Sequence, residues 1–146
     1  MAITTNAIAN SFKKELLEAK HNFTQTSGDQ FKIALYTSSA VLGKSTTSFT
    51  TDAQVNNSGQ YTTGGGKLAK GSQQTSVASS VAIVDFADRS FTGVTLTARG
   101  ALIYNTSNSN TAVAVLDFGG DKTATAGTFT IQFPAFTTSA AILRIT

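Results

Sequence analysis

The second half of the chain consists of short runs in which apolar and polar residues alternate. Residues 128–133 are the clearest case, because Phe129, Ile131 and Phe133 fall on one side of an extended chain and polar residues on the other. Gly, Asn, Asp and Ser residues separate successive runs, as they do at turns. The predicted strands are 77–86, 91–97, 98–104, 112–118, 128–133 and 140–145, with a bulge or bend at Gly100. Strands at this spacing, with no later helical pattern, predict an antiparallel sandwich or barrel.

The first segment carries a helical pattern instead. Ile8, Phe12 and Leu16 recur every four residues and form one apolar stripe, and Thr and Asn residues just before Ile8 can cap the first turn. These features predict a helix over about residues 6–20. One short helix is not stable alone, so its stripe must pack on something else. A strand over residues 31–36 follows, where the apolar period changes from about four to two.

These patterns predict a mainly β fold, an antiparallel β-sandwich of jelly-roll-like character with one short N-terminal α-helix. The length of 146 residues suits one domain with its own core, and no linker separates the halves. We therefore treat residues 1–146 as a single domain.

A long polar segment covers about residues 38–76. It is rich in Ser, Thr, Gly, Asn and Gln and too long for an empty loop in a compact domain, so we expect short edge strands or an extended arm within it. Its few apolar residues offer little burial to offset the entropy of ordering, which predicts weak protection in the isolated subunit. The candidate packing or interface residues are Tyr61 from this segment and Ile8, Phe12 and Leu16 from the helix.

The composition excludes several kinds of chemistry. The chain has no cysteine, a single histidine, His21, and only two glutamates, Glu15 and Glu18. It therefore lacks a thiol nucleophile, a Cys/His zinc site and a second histidine for a metal pair. We predict no catalytic residue, no cofactor-binding residue, no metal ligand and no cofactor, so the chain is not expected to be an enzyme.

Four minor patterns leave alternatives open. Gly64-Gly65-Gly66-Lys67 suggests a phosphate loop, but Tyr61 and Leu68 stand where that motif needs Gly and Ser or Thr, so a glycine turn is the better interpretation. His21 could sense pH or cap the helix end. Three tyrosines could form a stacking platform, or simply pack in the core; they are Tyr36, Tyr61 and Tyr104. Four aspartates could converge on calcium, or each could cap a turn; they are Asp85, Asp88, Asp117 and Asp121.

Charge and hydropathy argue against nucleic-acid and membrane partners. The net charge is only +3, and the nearest approach to a basic cluster is Lys13, Lys14 and Lys20 on the predicted helix. The longest apolar stretches, such as Val81–Val84, are far shorter than the roughly 20 residues that span a bilayer. The first residues lack the pattern of a secretory leader. We expect a soluble protein made in a cytoplasm.

Four stretches of the sequence are similar to a known family. They are residues 6–23 (NAIANSFKKELLEAKHNF), 31–40 (FKIALYTSSA), 91–105, and 112–135 (AVAVLDFGGDKTATAGTFTIQFPA). Together they resemble small virion structural proteins of tailed bacteriophages, and the resemblance is weakest over residues 40–75. It implies a non-enzymatic particle component, and it carries no catalytic motif.

The resemblance implies a location in the virion and other virion proteins as partners. The leading hypothesis is a capsid decoration, or cement, protein that binds and stabilises the major capsid lattice as a homo-oligomer, with a trimer suited to a site between three capsid subunits. The alternatives are a structural protein of the tail, baseplate or fibre attachment, and a carbohydrate-binding host-adhesion module.

Overall fold

The computed structural model describes residues 2–69 and 74–146. Within these residues it contains one short helix and eight strands, and the strand pairs are antiparallel. The mainly β, sandwich-like fold predicted from the sequence is therefore confirmed. The elements are β1 Ala7–Ile8, α1 Asn10–Leu17, β2 Phe31–Tyr36, β3 Gly66–Lys67, β4 Gln74–Ala78, β5 Val81–Asp85, β6 Arg89–Asn105, β7 Thr111–Ile131 and β8 Leu143–Ile145.

A five-stranded sheet of order β1-β7-β6-β2-β3 forms the centre of the molecule. The predicted strands 91–97 and 98–104 are one strand, β6, and the turns expected between the predicted strands 112–118 and 128–133 lie inside β7. Bulges replace those turns: Gly119 and Ala126 have positive φ angles of 77° and 46°, and the β6–β7 register shifts repeatedly. The bulge expected at Gly100 is confirmed by the register shift between Ala98 and Gly100.

A separate three-stranded sheet has the order β4-β5-β8. The predicted single strand 77–86 is instead the hairpin β4–β5, because Ser79 and Ser80 both adopt positive φ angles, 50° and 62°, and form a tight two-residue turn. The last strand, β8, pairs with β5 through Leu143, Arg144 and Ile145.

Helix α1 is shorter than predicted. It spans Asn10–Leu17 rather than residues 6–20, because Ala7–Ile8 are extended and pair with β7. The side chain of Asn6 accepts a hydrogen bond from the Asp117 amide, 2.7 Å away, and so serves the sheet rather than the helix start. Ala19 has a positive φ of 57°, which ends the helical turn before Lys20.

Both faces of the central sheet are covered. Successive residues of β2 point to opposite faces, yet Ile33, Ala34, Leu35 and Tyr36 are all fully buried. On the face that carries Phe31, aromatic stacking continues to Phe23, 4.6 Å between ring centroids, and on to residues near the small sheet. Helix α1 and the three-stranded sheet therefore cover this face.

The polar segment covers the opposite face. Phe49 stacks on Tyr104 at 4.7 Å, and Tyr36 donates its hydroxyl proton to the Thr50 carbonyl. Val55 and Leu68 are also buried. Residues 38–69 are thus a long loop packed on the sheet, with β3 as a short edge strand, and not a free arm. The sparse apolar residues do not need a core of their own, because they join that of the central sheet. Residues 70–73 of the segment lie outside the described residues.

Candidate docking surface

An apolar groove lies between helix α1 and the inner face of the three-stranded sheet. Its volume is about 670 Å³. Phe12, Leu16 and Leu17 line the helix side, and Val77, Ala82, Val84, Leu143 and Ile145 are among the residues of the sheet side. Cross-strand pairs explain this sheet face: Val77 pairs with Ala82, which pairs with Ile145, so the three side chains stand side by side.

Three of the four candidate interface residues meet at this groove. Phe12 is buried, with His21 and Phe23 against its ring at centroid distances of 4.8 and 6.0 Å. Ile8, which lies in β1, and Leu16 are half-buried and line the groove. Phe23, which lies beyond the end of the helix, packs back against Phe12.

Tyr61 lies elsewhere and is a core residue. It is fully buried, it packs edge-on against Phe91 with 5.0 Å between ring centroids, and its hydroxyl oxygen accepts a hydrogen bond from the Leu35 amide, 2.8 Å away. Burial raises the pKa of Tyr61 to about 12. A residue placed in this way holds the polar segment on the sheet and offers no surface to a partner.

Three residues that line the groove were not identified from the sequence, and they are its most exposed large apolar side chains. Leu17 is 91% exposed, Val77 71% and Ile145 55%. Leu17 lies off the every-four stripe, and Val77 and Ile145 were assigned to ordinary half-buried strands. The only sequence signal was the position of Leu17 next to Leu16, which widens the helix stripe towards Lys13. Among the described residues, one other large apolar side chain, Val41, is comparably exposed, and it does not line the groove.

Two charged residues line the groove, Lys13 on the helix and Arg144 on β8. Arg144 pairs with Ile83, so its side chain leaves the small sheet on the face opposite Val77, Ala82 and Ile145. At the end of the helix, Glu18 pairs with Lys20 at 2.8 Å and with Lys14 at 3.2 Å, and these contacts lower the pKa of Glu18. Neither Lys13 nor Arg144 takes part in the ion pairs found in the described part of the chain.

A buried polar network holds the end of the helix segment beside the groove. The side chain of Asn105, at the end of β6, donates to Asp29 at 2.7 Å, and its carbonyl oxygen accepts from the Ser107 amide at 2.9 Å. The side-chain nitrogen Nδ2 of Asn105 also lies 3.0 Å from Nδ1 of His21. It therefore donates to Nδ1, and Nε2 of His21 donates to Glu15, 2.7 Å away. His21 is thus neither a helix cap nor an exposed pH sensor, but a buried link between helix and sheet.

The three tyrosines do not form an exposed platform. Tyr36, Tyr61 and Tyr104 are at most 3% exposed. The Tyr104 hydroxyl donates to the Gly64 carbonyl, as the Tyr36 hydroxyl does to Thr50. Burial raises the pKa of all three phenols. They pack and anchor the loop, so no aromatic face is left for a sugar or base.

The four aspartates do not converge on a cation site. Asp117 accepts a hydrogen bond from Arg99 at 3.2 Å, whereas Asp88 accepts one from the Phe133 amide at 2.8 Å. Burial, with a smaller effect of the Asp88 charge, raises the pKa of Asp85. Within residues 2–69 and 74–146, no group of three or more His, Asp or Glu side chains is arranged to hold a metal ion.

The glycine-rich stretch is a turn into a strand. Gly64 and Gly65 have positive φ angles, 88° and 82°, and Gly66 and Lys67 then form β3 opposite Ile33 and Lys32. At Gly65 a Cβ atom would lie 1.9 Å from the Ile33 carbonyl oxygen, so close approach to β2 requires glycine there. Among the described residues that follow, none forms a helix, and the phosphate-loop alternative lacks the structural context that it needs.

No protein-family model, curated protein or solved structure matches this chain. Across the part of the chain that the structure describes, no helix has the length and apolar character to cross a membrane.

Proposed function

We propose that the chain is a non-enzymatic structural protein of a tailed-bacteriophage virion, and specifically a capsid decoration protein that binds and stabilises the major capsid lattice. The observation that carries the proposal is the groove beside α1 with its exposed rim of Leu17, Val77 and Ile145. Contiguous exposed apolar surface of this kind marks an interaction site in a folded domain. The resemblance of four stretches to phage virion proteins supplies the setting.

The remaining chemistry supports a binding role over catalysis. In the described residues the one histidine is buried in a structural network, the tyrosine hydroxyls are bonded to backbone carbonyls, and the groove is lined mainly by aliphatic side chains. A site of this composition offers shape and apolar contact, and it holds no pair of groups for proton transfer. A structural component of a particle needs only the shape and the apolar contact.

A decoration protein can work through weak individual contacts. Many copies lie on one particle, so each docking event is reinforced when a copy or its oligomer touches several lattice subunits at once. We propose a homo-oligomer, with a trimer suited to a site surrounded by three capsid subunits. The oligomer would form through surfaces other than the groove, which remains free for the lattice.

The test is reconstitution on particles of the encoding phage that lack this protein. Purified wild-type chain and two variants, Leu17→Ser and Val41→Ser, are added, and bound copies are counted on a quantified gel. Both residues are exposed, so both variants should fold, and only Leu17 lies at the groove. We expect wild type and Val41→Ser to bind and Leu17→Ser to lose most of its occupancy.

The copy number separates the proposal from its structural alternative. A count on the order of hundreds per particle indicates the head lattice, whereas a few to dozens indicates the tail, baseplate or a fibre attachment. Absence of the protein from purified particles would refute the virion assignment altogether.

A further inference from the structure

We infer that the buried hydrogen-bond network around His21 is a proton-dependent switch: it links the segment after helix α1 to the end of β6 while the imidazole is neutral, and it rearranges when the imidazole gains a second proton. The network consists of Glu15, His21, Asp29, Asn105 and Ser107, and we call it the His21 network. The inference concerns the internal structure of the chain and does not rest on the proposed function.

Two neighbours fix the orientation of the Asn105 side-chain amide. Its nitrogen, Nδ2, lies 2.7 Å from Oδ2 of Asp29, and an ionised carboxylate can only accept a hydrogen bond. Its oxygen, Oδ1, lies 2.9 Å from the backbone nitrogen of Ser107, which can only donate. A turned amide would place oxygen against oxygen and N–H against N–H, so the observed orientation is the one that satisfies both neighbours.

This orientation determines where the imidazole carries its proton. Nδ1 of His21 lies 3.0 Å from Nδ2 of Asn105, which donates one hydrogen to Asp29 and has its second hydrogen left for Nδ1. Nδ1 is therefore an acceptor and holds no proton. Nε2 lies 2.7 Å from Oε2 of Glu15 and donates to it. Every hydrogen bond that joins these side chains has one donor and one acceptor, and this match requires a neutral imidazole.

A second proton on the imidazole would break this match. It would occupy Nδ1 and face an N–H of Asn105, so that two donors meet. The side chain of His21 is 0% exposed, so bulk solvent does not reach Nδ1. The oxygen of Asn105 can accept from Nδ1 only if the amide turns and gives up its bonds to Asp29 and Ser107. Uptake of the proton and loss of these two bonds are therefore coupled.

The charges around the ring favour uptake of that proton. The charged groups of the network are Glu15 on α1 and Asp29 in the segment before β2, whereas β6 contributes the neutral Asn105. Two carboxylates close to an imidazole favour its cationic form. Lys20, the neighbouring residue of opposite charge, is held by Glu18 at 2.8 Å. Charge thus attracts a proton for which the hydrogen bonds leave no acceptor. Such a site has two arrangements whose balance depends on pH, and histidine is the side chain that normally changes charge between pH 5 and 8.

The rearrangement is local, so the chain stays folded on either side of it. The Asn22 amide donates to the Asp29 side chain at 2.9 Å, and this bond closes loop 22–29 on itself. The Thr106 amide donates to the Gln30 carbonyl at 2.9 Å, and neither atom belongs to the His21 network. The connection that is lost is the side-chain link between loop 22–29 and the turn after β6. We therefore expect acid to loosen this link while the neighbouring backbone bonds are kept.

The test is an NMR titration of the full-length chain from pH 8 to pH 5, the range in which histidine normally changes charge. The ring nitrogen signals of His21 report its tautomer and its protonation, and hydrogen exchange of the Ser107 amide, expressed as a protection factor, reports the network. The Thr106 amide is the internal control, because its partner lies outside the network. Two variants are compared with wild type. His21→Gln has no titrating ring, and Asn105→Asp keeps an oxygen for the Ser107 amide while it places a second oxygen opposite Nδ1.

We expect Nε2 to carry the single ring proton at pH 8, and Nδ1 to gain a proton towards pH 5. As it does so, the protection factor of Ser107 should fall about fivefold or more, the factor that one neutral hydrogen bond represents, while that of Thr106 changes less than about twofold. In His21→Gln the protection factor of Ser107 should not depend on pH. In Asn105→Asp it should not fall as the ring gains its proton, because the side chain no longer has to turn.

Four results would each overturn the inference. They are a proton on Nδ1 at pH 8, a ring that gains no second proton down to pH 5, a ring that gains one while Ser107 keeps its protection, and a loss of Ser107 protection that is equal in wild type and His21→Gln. The comparison with His21→Gln is decisive even where Asn105→Asp does not fold, because a glutamine side chain can still donate and accept in place of the imidazole.

Discussion

Replacing Asn105 by alanine should destabilise the protein strongly, because the side chain is buried and hydrogen-bonded. Asn105 is fully buried, and its amide group makes hydrogen bonds to Asp29 and His21 in the segment between α1 and β2 and to Ser107 in the turn after β6. The substitution removes all three bonds at once. The partners differ in how easily water can replace the lost group.

The magnitude follows from those partners. The bond to the Asp29 carboxylate is of the charged kind, typically about 1.5–3 kcal/mol, and the other two are neutral, about 1 kcal/mol each. Asp29 keeps a second bond from the Asn22 amide, and it is partly exposed. Loss of the Asn105–Asp29 bond should therefore cost a free energy near the low end of that range. The ring of His21 is buried and would lose its only donor at Nδ1. We expect a decrease in the free energy of unfolding of about 3 kcal/mol.

The assay is urea unfolding at neutral pH, with Asn108→Ala as the matched control. Asn108 lies in the turn that follows Asn105, is only half-buried, and makes one side-chain bond, to the Lys20 carbonyl at 3.1 Å. Its removal should cost less than about 1 kcal/mol. If the two variants lose equal stability, or if Asn105→Ala loses less than about 1 kcal/mol, the network does not hold the helix segment as we describe.

Four further results are expected. Phe12→Ala should lower the free energy of unfolding by about 3 kcal/mol and Leu17→Ala by less than about 0.5, and equal losses would contradict their different burial. Stability should be complete below pH 10 and fall as the pH rises towards 12, because the folded chain keeps the Tyr61 proton while an unfolded tyrosine titrates near 10; a flat profile up to pH 12 in urea unfolding would contradict this. Thermal unfolding curves measured with added calcium and with a chelator should coincide. A chelator-induced drop of several degrees in the melting temperature would instead indicate a bound cation. Hydrogen exchange of the isolated subunit should show protected amides within residues 43–66, and uniformly fast exchange there would contradict the packed loop.

The fold class could be predicted from the sequence because the periodicity of apolar residues depends only on the strand or helix that carries it. The period of two in residues 31–36 and 128–133 follows from the alternation of side chains along a strand, and it holds whichever strand is the neighbour. The period near four likewise placed Phe12 on the buried side of a helix. The start of the helix was wrong, since pairing of Ala7–Ile8 with a distant part of β7 outweighs the local capping signal.

Turn signals were less reliable because glycine and serine serve several backbone conformations. Gly119 and Ala126 sit at bulges within a continuous strand, whereas Ser79 and Ser80 form a genuine hairpin turn in a stretch that reads as one strand. Which of these outcomes occurs depends on the partner strand. The sequence of one strand does not contain that information.

The polar segment shows the same dependence on distant partners. Tyr61 and Val55 are isolated in the sequence, and judged locally they could not order a long loop. In the fold both are held on β2: the Val55 amide donates to the Leu35 carbonyl, and the Tyr61 hydroxyl accepts from the Leu35 amide. Burial of a few large side chains at chosen points can therefore order a segment whose average composition is polar.

The groove exists because the helix and the small sheet are each held by contacts that do not close the space between them. Helix α1 is fixed at its start by the backbone bond from the Ala9 amide to Val113, and beyond its end by the His21 and Asn105 network. The small sheet is anchored where Leu143 and Val84 pack into the core, while Val77 and Ile145 extend beyond it. Neither element can shift to cover the other without breaking buried contacts. An apolar surface held open in this way is already in its binding conformation, so a partner loses little entropy to ordering of this side of the interface. It follows that Asn105→Ala, at a urea concentration where the variant is still folded, should also weaken docking, although Asn105 does not line the groove.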